Sequence, residues 1–162
     1  MNPEQRQQKI ESYGAAHAAL VAALQRFPEG MWHYRPAPGR WTIHEIVIHL
    51  ADSEANSYVR CRRFIAEPGQ AAMPYDQDVW TSKLRYHEQS IDHYLELFKW
   101  LRKASYDLIK TLPEPAWQAR LTHPEHNDYS FDRWLDIYER HIPGHVAQMQ
   151  KNYEAWKARQ AS

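Results

Sequence analysis

The chain has a single cysteine, Cys61, among 162 residues, so no disulfide can form within it. With no disulfide framework, a cytoplasmic location is the default expectation. No stretch approaches the roughly 18–20 apolar residues of a membrane span. The first residues, Met1 to Lys9, lack the apolar region of a signal peptide. Neither sign of charge is in excess: 20 basic residues face 20 acidic ones. Such a balance lacks the basic footprint of a nucleic-acid binder. Several catalytic signatures are missing as well. There is no HExxH zinc motif, because Ile142 rather than Glu follows His141. There is no P-loop, no Gly-rich dinucleotide fingerprint and no GxSxG elbow. Cys61 with scattered histidines does not make a thiol nucleophile.

Glycine is also scarce. Five glycines and ten prolines occur, and the prolines cluster between long polar–apolar segments. This pattern predicts four long helices, over about residues 3–26, 42–66, 88–111 and 130–157. The second has the clearest start. Thr42-Ile-His-Glu45 matches a capping box, with Trp41 and Ile46 placed as a hydrophobic staple. Ser130 caps the fourth, with Tyr129 and Trp134 as a second staple. Core candidates on the third are Ile91, Leu95, Leu97, Phe98, Leu101, Leu108 and Ile109. The connection over 67–87 is long for a bundle and carries Pro74-Tyr-Asp-Gln-Asp-Val-Trp80, where a short helix is expected. Residues 112–129 read as loop, and no alternation comes with hairpin turn chemistry. Four long helices in one domain, 1–162, make an all-α four-helix bundle. The long second connection permits the second and third helices to run parallel. Aromatics reach 13%, with seven Trp, at a mean hydropathy of −0.79, so a polar surface surrounds an aromatic-rich core.

The histidines carry the chemical interest. His141 and His145 are four residues apart and share one helical face, so both imidazoles can reach one metal ion. They continue a stripe that runs Trp134, Tyr138, His141, His145, Gln148. Burying neutral imidazoles without partners costs on the order of 1–3 kcal/mol per group, a cost that a shared cation removes. Two surface or hydrogen-bonded histidines would satisfy the same spacing. Pro143, between them, lacks a donor and clashes with the Glu139 carbonyl. It reads either as a bend that aims the ligands or as the end of the helix. His49 lies on a different helix, in Ile46-Val-Ile-His-Leu-Ala-Asp52, and reads as a third ligand or as a satisfied core histidine. Three histidines would leave one or more coordination positions open, as catalytic sites do. Gln148, one turn beyond His145, is placed to orient a ligand. Asp52, Asp76 and Gln77 are weaker candidates on the substrate side, since acidic residues ahead of a helix mostly cap it. The other histidines, at 17, 33, 44, 87, 93, 123 and 126, show no usable mutual spacing and are expected on the surface or in loops.

Four segments together resemble the DinB/YfiT-like superfamily of proposed metalloenzymes. They are Trp41-Thr-Ile-His-Glu-Ile-Val-Ile-His-Leu-Ala-Asp-Ser-Glu54, Tyr75-Asp-Gln-Asp-Val-Trp80, Leu97-Phe-Lys-Trp-Leu-Arg102 and His141-Ile-Pro-Gly-His-Val-Ala-Gln148. The resemblance spans about residues 32–150. It implies a four-helix bundle with an up-down-down-up path and a divalent metal held by three histidines, which map onto His49, His141 and His145. Relatives also carry a proline between the last two, as Pro143 does here. Gly144 departs from the polar or histidine residue often found at its position.

Members that resemble this chain are described as metal-dependent hydrolases or as thiol transferases using bacillithiol, mycothiol or glutathione, and the fold does not choose between them. In either case a Lewis-acidic ion lowers the pKa of a bound water or thiol near neutral pH. An all-histidine set suits Zn²⁺, Ni²⁺ or Fe²⁺. A small-molecule substrate, with a low-molecular-weight thiol as co-substrate in the second case, is the expected partner. A homodimer is expected as the commonest soluble assembly. The competing reading is a non-enzymatic, stress-associated binding or dimerisation module whose metal is structural or vestigial.

Overall fold

In the computed structural model residues 1–124 and 126–161 are described, with the side chains of 126–128 left aside. Five helices form in chain order: α1 (Pro3–Leu24), α2 (Ile43–Ala66), α3 (Gln77–Lys83), α4 (Ile91–Ile109) and α5 (Phe131–Gln160). A short hairpin, β1 (Arg120–His123) with β2 (His126–Ser130), precedes α5.

The helices begin where the sequence offers caps. The Asn2 side chain accepts from the Gln5 backbone and Gln5 reaches back, with Pro3 at the first helical position of α1. Thr42 and Glu45 make the same reciprocal box on α2. Ser90 caps α4 and Ser130 caps α5. α2 ends ahead of Pro68-Gly69, where Gly69 takes φ +87, a left-handed conformation that favours glycine. α5 runs unbroken through Pro143, so this proline is not a helix end.

Side-chain contacts fix the directions of the four long helices. Between α1 and α5, Arg6 meets Asp132 and Lys9 meets Asp136, while Ser12 meets Glu139, so the two run parallel. Between α2 and α4, His44 meets Gln89 just before α4, Glu54 meets Arg102 and Arg62 meets Ser105, again parallel. α5 runs antiparallel to α2: Asn152 meets Trp41, His141 meets His49 and Tyr138 meets Arg60. This is the up-down-down-up bundle, and the crossover 67–90, which contains α3, allows α2 and α4 to be parallel neighbours.

Two apolar clusters fill the bundle. One gathers Tyr13, Phe64, Trp117, Phe131, Trp134 and Tyr138. The other gathers Leu20, Ile46, Leu50, Phe98, Ile142 and Met149.

Four expectations need correction. Residues 112–129 are not plain loop: they hold a 3-10 turn at Glu114–Gln118 and the β1 strand, whose partner β2 begins at His126. Backbone bonds from Gly69 and Ala72 to Arg120 and Thr122 attach the start of the crossover to this hairpin. α4 is shorter than the pattern suggested, because a 3-10 turn at Tyr86–Glu88 and the Ser90 cap come first. Within α4, Leu97 is 42% exposed rather than core. His44, expected at the surface, is buried because its Nε2 donates to the Gln89 carbonyl at 2.9 Å. The His126 side chain lies outside the described residues.

Candidate metal centre

α2 and α5 cross with their histidines facing each other. His49 is fully buried two turns into α2, while His141 and His145 are half-buried residues of α5. The Nε2 atoms of His49 and His141 are 3.4 Å apart, and those of His145 and His141 are 3.2 Å apart. One ligand atom from each ring lies within 4.8 Å of the others, a group that could hold a metal ion.

Hydrogen bonding shows why a cation would suit these nitrogens. His145 Nδ1 lies 3.0 Å from Gln148 Oε1, an acceptor, so the ring proton sits on Nδ1 and Nε2 presents its lone pair. His49 Nδ1 and His141 Nδ1 are buried without a partner among the described residues. One ring proton can bridge one pair of Nε2 atoms, but it leaves the third lone pair aimed at the other two. A shared divalent ion satisfies all three. Two nitrogens at a zinc–nitrogen distance of 2.0–2.1 Å and a tetrahedral angle are about 3.3 Å apart, so the observed spacings fit such an ion.

The electrostatics agree with the donor set. Burial, with the neighbouring His145 second, lowers His49 from 6.5 to about 3. Burial pushes His141 well below its ordinary value, and burial also lowers His145 against the opposing effect of Gln148. All three rings are therefore neutral at pH 7, as metal ligands must be.

The surroundings close the site on one side. Trp41, just before the α2 cap, lays its ring 4.7 Å from that of His49 and stacks 6.2 Å from that of His145. Its indole nitrogen donates to Asp78 of α3 at 3.1 Å, and Asn152 holds its backbone carbonyl. Trp41, Pro74, Tyr75, Asp76, Gln77 and Asp78 line an open, polar pocket of about 630 Å³. On the other side, Tyr138 stands edge-on to His141 at 6.0 Å.

The remaining sequence candidates have distinct places. Gln148 bonds His145, as described. Asp76 caps α3 by accepting from Asp78 and Val79, and Gln77 is the first residue of that helix. Both also line the pocket beside Trp41. The Asp52 carboxylate accepts from the Tyr86 hydroxyl at 2.5 Å, which ties the crossover to α2, and burial raises its pKa.

The sequence reading missed a buried network below the site. Arg102 and Glu54 form an ion pair at 2.6 Å, both essentially unexposed. Tyr13 donates to the other Glu54 oxygen at 2.6 Å, and Arg102 also donates to the Tyr138 carbonyl at 3.2 Å. An acid on one helix and a base on another give no local pattern to find, although both sit in the segments quoted above.

The sequence profile of the DinB superfamily matches residues 13–149. The chain belongs to that superfamily. Its relatives include a protein of Oceanobacillus iheyensis, 31% identical over 67% of this chain and 63% of the relative. YfiT of Bacillus subtilis is 26% identical over 91% of this chain and 83% of its own. A Bacillus cereus relative is 26% identical over 70% and 66%. All three are provisionally named metal-dependent hydrolases. The match thus spans less than two thirds of the length of the first and third. The solved YfiT structure superposes with a TM-score of 0.88 at 24% identity, covering 97% of this chain and 90% of that one. It is described as a probable metal-dependent hydrolase with an unusual four-helix bundle topology. At that identity the likeness carries the fold, and the bundle matches.

Proposed function

We propose that this chain is a metal-dependent hydrolase of small molecules, with His49, His141 and His145 as the ligands of one divalent ion. The observation that carries the reading is the convergence of three neutral Nε2 atoms at 3.2 and 3.4 Å. The names of the relatives supply the reaction class. Three protein ligands leave a position open, and the bound ion would act as a Lewis acid toward a small ligand there. An all-histidine set suits Zn²⁺, Ni²⁺ or Fe²⁺.

The chain's own residues have defined tasks in this reading. Gln148 fixes the His145 tautomer through Nδ1. Trp41 covers His49 and His145 and excludes water from that flank. Asp76, Gln77 and Asp78 face the substrate from the polar pocket beside it. Transfer of a low-molecular-weight thiol would use the same ligands, so the substrate panel must include both classes.

The test is metal content by mass spectrometry on protein purified without a metal-affinity step, followed by hydrolysis and thiol-transfer assays. Near-stoichiometric metal that disappears in His141→Ala/His145→Ala, with ester or amide hydrolysis lost on chelation and restored by the ion, is expected. A parent that is empty and takes up no added ion would refute the site. A loaded parent active only in thiol transfer would move the reaction class.

A further inference from the structure

The crossover builds a second pocket, of opposite character, on the far side of residues 74–75. About 400 Å³ in size, it lies between α2, the crossover and α3, and no acidic residue lines it among the described residues. Two guanidinium groups do, those of Arg60 and Arg63. The walls are apolar: Val59 and Met73 are 51% and 70% exposed at the rim, and Tyr75 and Trp80 pack ring to ring at 4.6 Å.

Arg60 is the unusual member. The other deeply placed arginines have carboxylates: Arg6 has Asp132 and Glu114, and Arg102 has Glu54. Arg60 has the Tyr138 hydroxyl at 3.0 Å, the Met73 carbonyl at 2.6 Å and the Tyr129 phenol. Its Nε is buried and has no acceptor among the described residues. All these partners are neutral, while a guanidinium stays charged and carries five donors. A half-buried cation without a counter-charge is costly. An anion such as a carboxylate entering the pocket would supply that charge.

We infer that this pocket binds a small organic carboxylate with a flat apolar body, its anionic end on Arg60 and its body between Val59, Met73 and the Tyr75–Trp80 pair. The volume lies in the range of small-molecule sites, about 300–1,000 Å³. The site is separate from the histidine cluster and does not depend on a bound metal.

Benzoate is the probe, with neutral benzamide as its isostere, titrated by ligand-observed NMR at fixed ionic strength. Benzoate is expected to bind at least tenfold more tightly than benzamide. Arg60→Met should weaken it at least tenfold. Because Arg60 also holds Tyr138, Val59→Glu serves as the second variant: it adds a carboxylate at an exposed rim position and should abolish benzoate binding without unfolding the chain. Equal affinity for benzoate and benzamide, or undiminished binding in Val59→Glu, would overturn the proposal. Inorganic phosphate binding as tightly as benzoate would overturn the apolar half of it. The titration is repeated on His141→Ala/His145→Ala. Binding retained there supports a pocket independent of the metal, whereas binding lost there puts the carboxylate on the metal and defeats the inference while leaving the hydrolase reading intact.

Discussion

Three buried imidazoles with their Nε2 atoms together make the metal-free protein acid-sensitive. An unfolded histidine takes up its proton near pH 6.5, but His49 in the fold does so only at about 3. Folded values below unfolded ones mean that stability is full above pH 6.5 and falls as the pH drops through the window toward 3. His49 alone contributes a slope of about 1.4 kcal/mol per pH unit there. Denaturant unfolding of the chelated protein between pH 7 and 4 should show at least this slope, and His49→Asn should reduce it, with His141 and His145 supplying the rest. Gly14 sets a second constraint at single-residue scale. A Cβ there would sit 2.6 Å from the Tyr106 ring. Gly14→Ala should therefore destabilise the fold by about 1–3 kcal/mol, measured as a lowered Tm. The sequence pointed to the residues that the fold brings together at the candidate site, because a four-residue spacing is local and visible. It did not disclose Trp41 as a cover or Arg60 as a lone cation, since both depend on neighbours distant in the chain.

At the scale of elements, the Arg102–Glu54 pair binds four helices at one level: α2 and α4 by the ion pair, α1 through Tyr13 and α5 through the Tyr138 carbonyl. Removing one partner leaves a buried charge alone. Arg102→Met should cost about 3–5 kcal/mol by denaturant unfolding, whereas Glu54→Leu/Arg102→Met together should recover most of that loss. A double variant no more stable than the single one would show that the pair's geometry, not its charge, holds the helices. The long helices were legible because their caps are written locally, in Thr42–Glu45 and Ser130. The hairpin was not. Its strands are four and five residues long, and the pairing shifts register between Leu121 and His123, so no regular alternation marks it.

For the whole molecule, zero formal net charge and a pI near 7.2 place the solubility minimum close to neutrality. Turbidity against pH should peak there and fall on either side. Among the described residues no helix is long and apolar enough to cross a membrane. If the histidines bind zinc, the ion stabilises the folded state by mass action. Zinc at a hundred times its dissociation constant should add about 2.7 kcal/mol, and the increment should vanish in His141→Ala/His145→Ala. An unchanged Tm in the parent would contradict the site.

The parallel pairing of α1 with α5 and of α2 with α4 bears on how the protein is made. α1 leaves the ribosome long before α5, one of its two main packing neighbours, which begins only at Phe131. Two of the three histidines also arrive with α5. A nascent chain that has reached the hairpin therefore carries one histidine of the trio and an apolar face of α1 that α4 covers only in part. Closure of the bundle and assembly of the histidine trio must both wait for synthesis of α5. Until then the emerging segments are a substrate for chaperones, and folding depends on contacts far apart in the chain, which slows it.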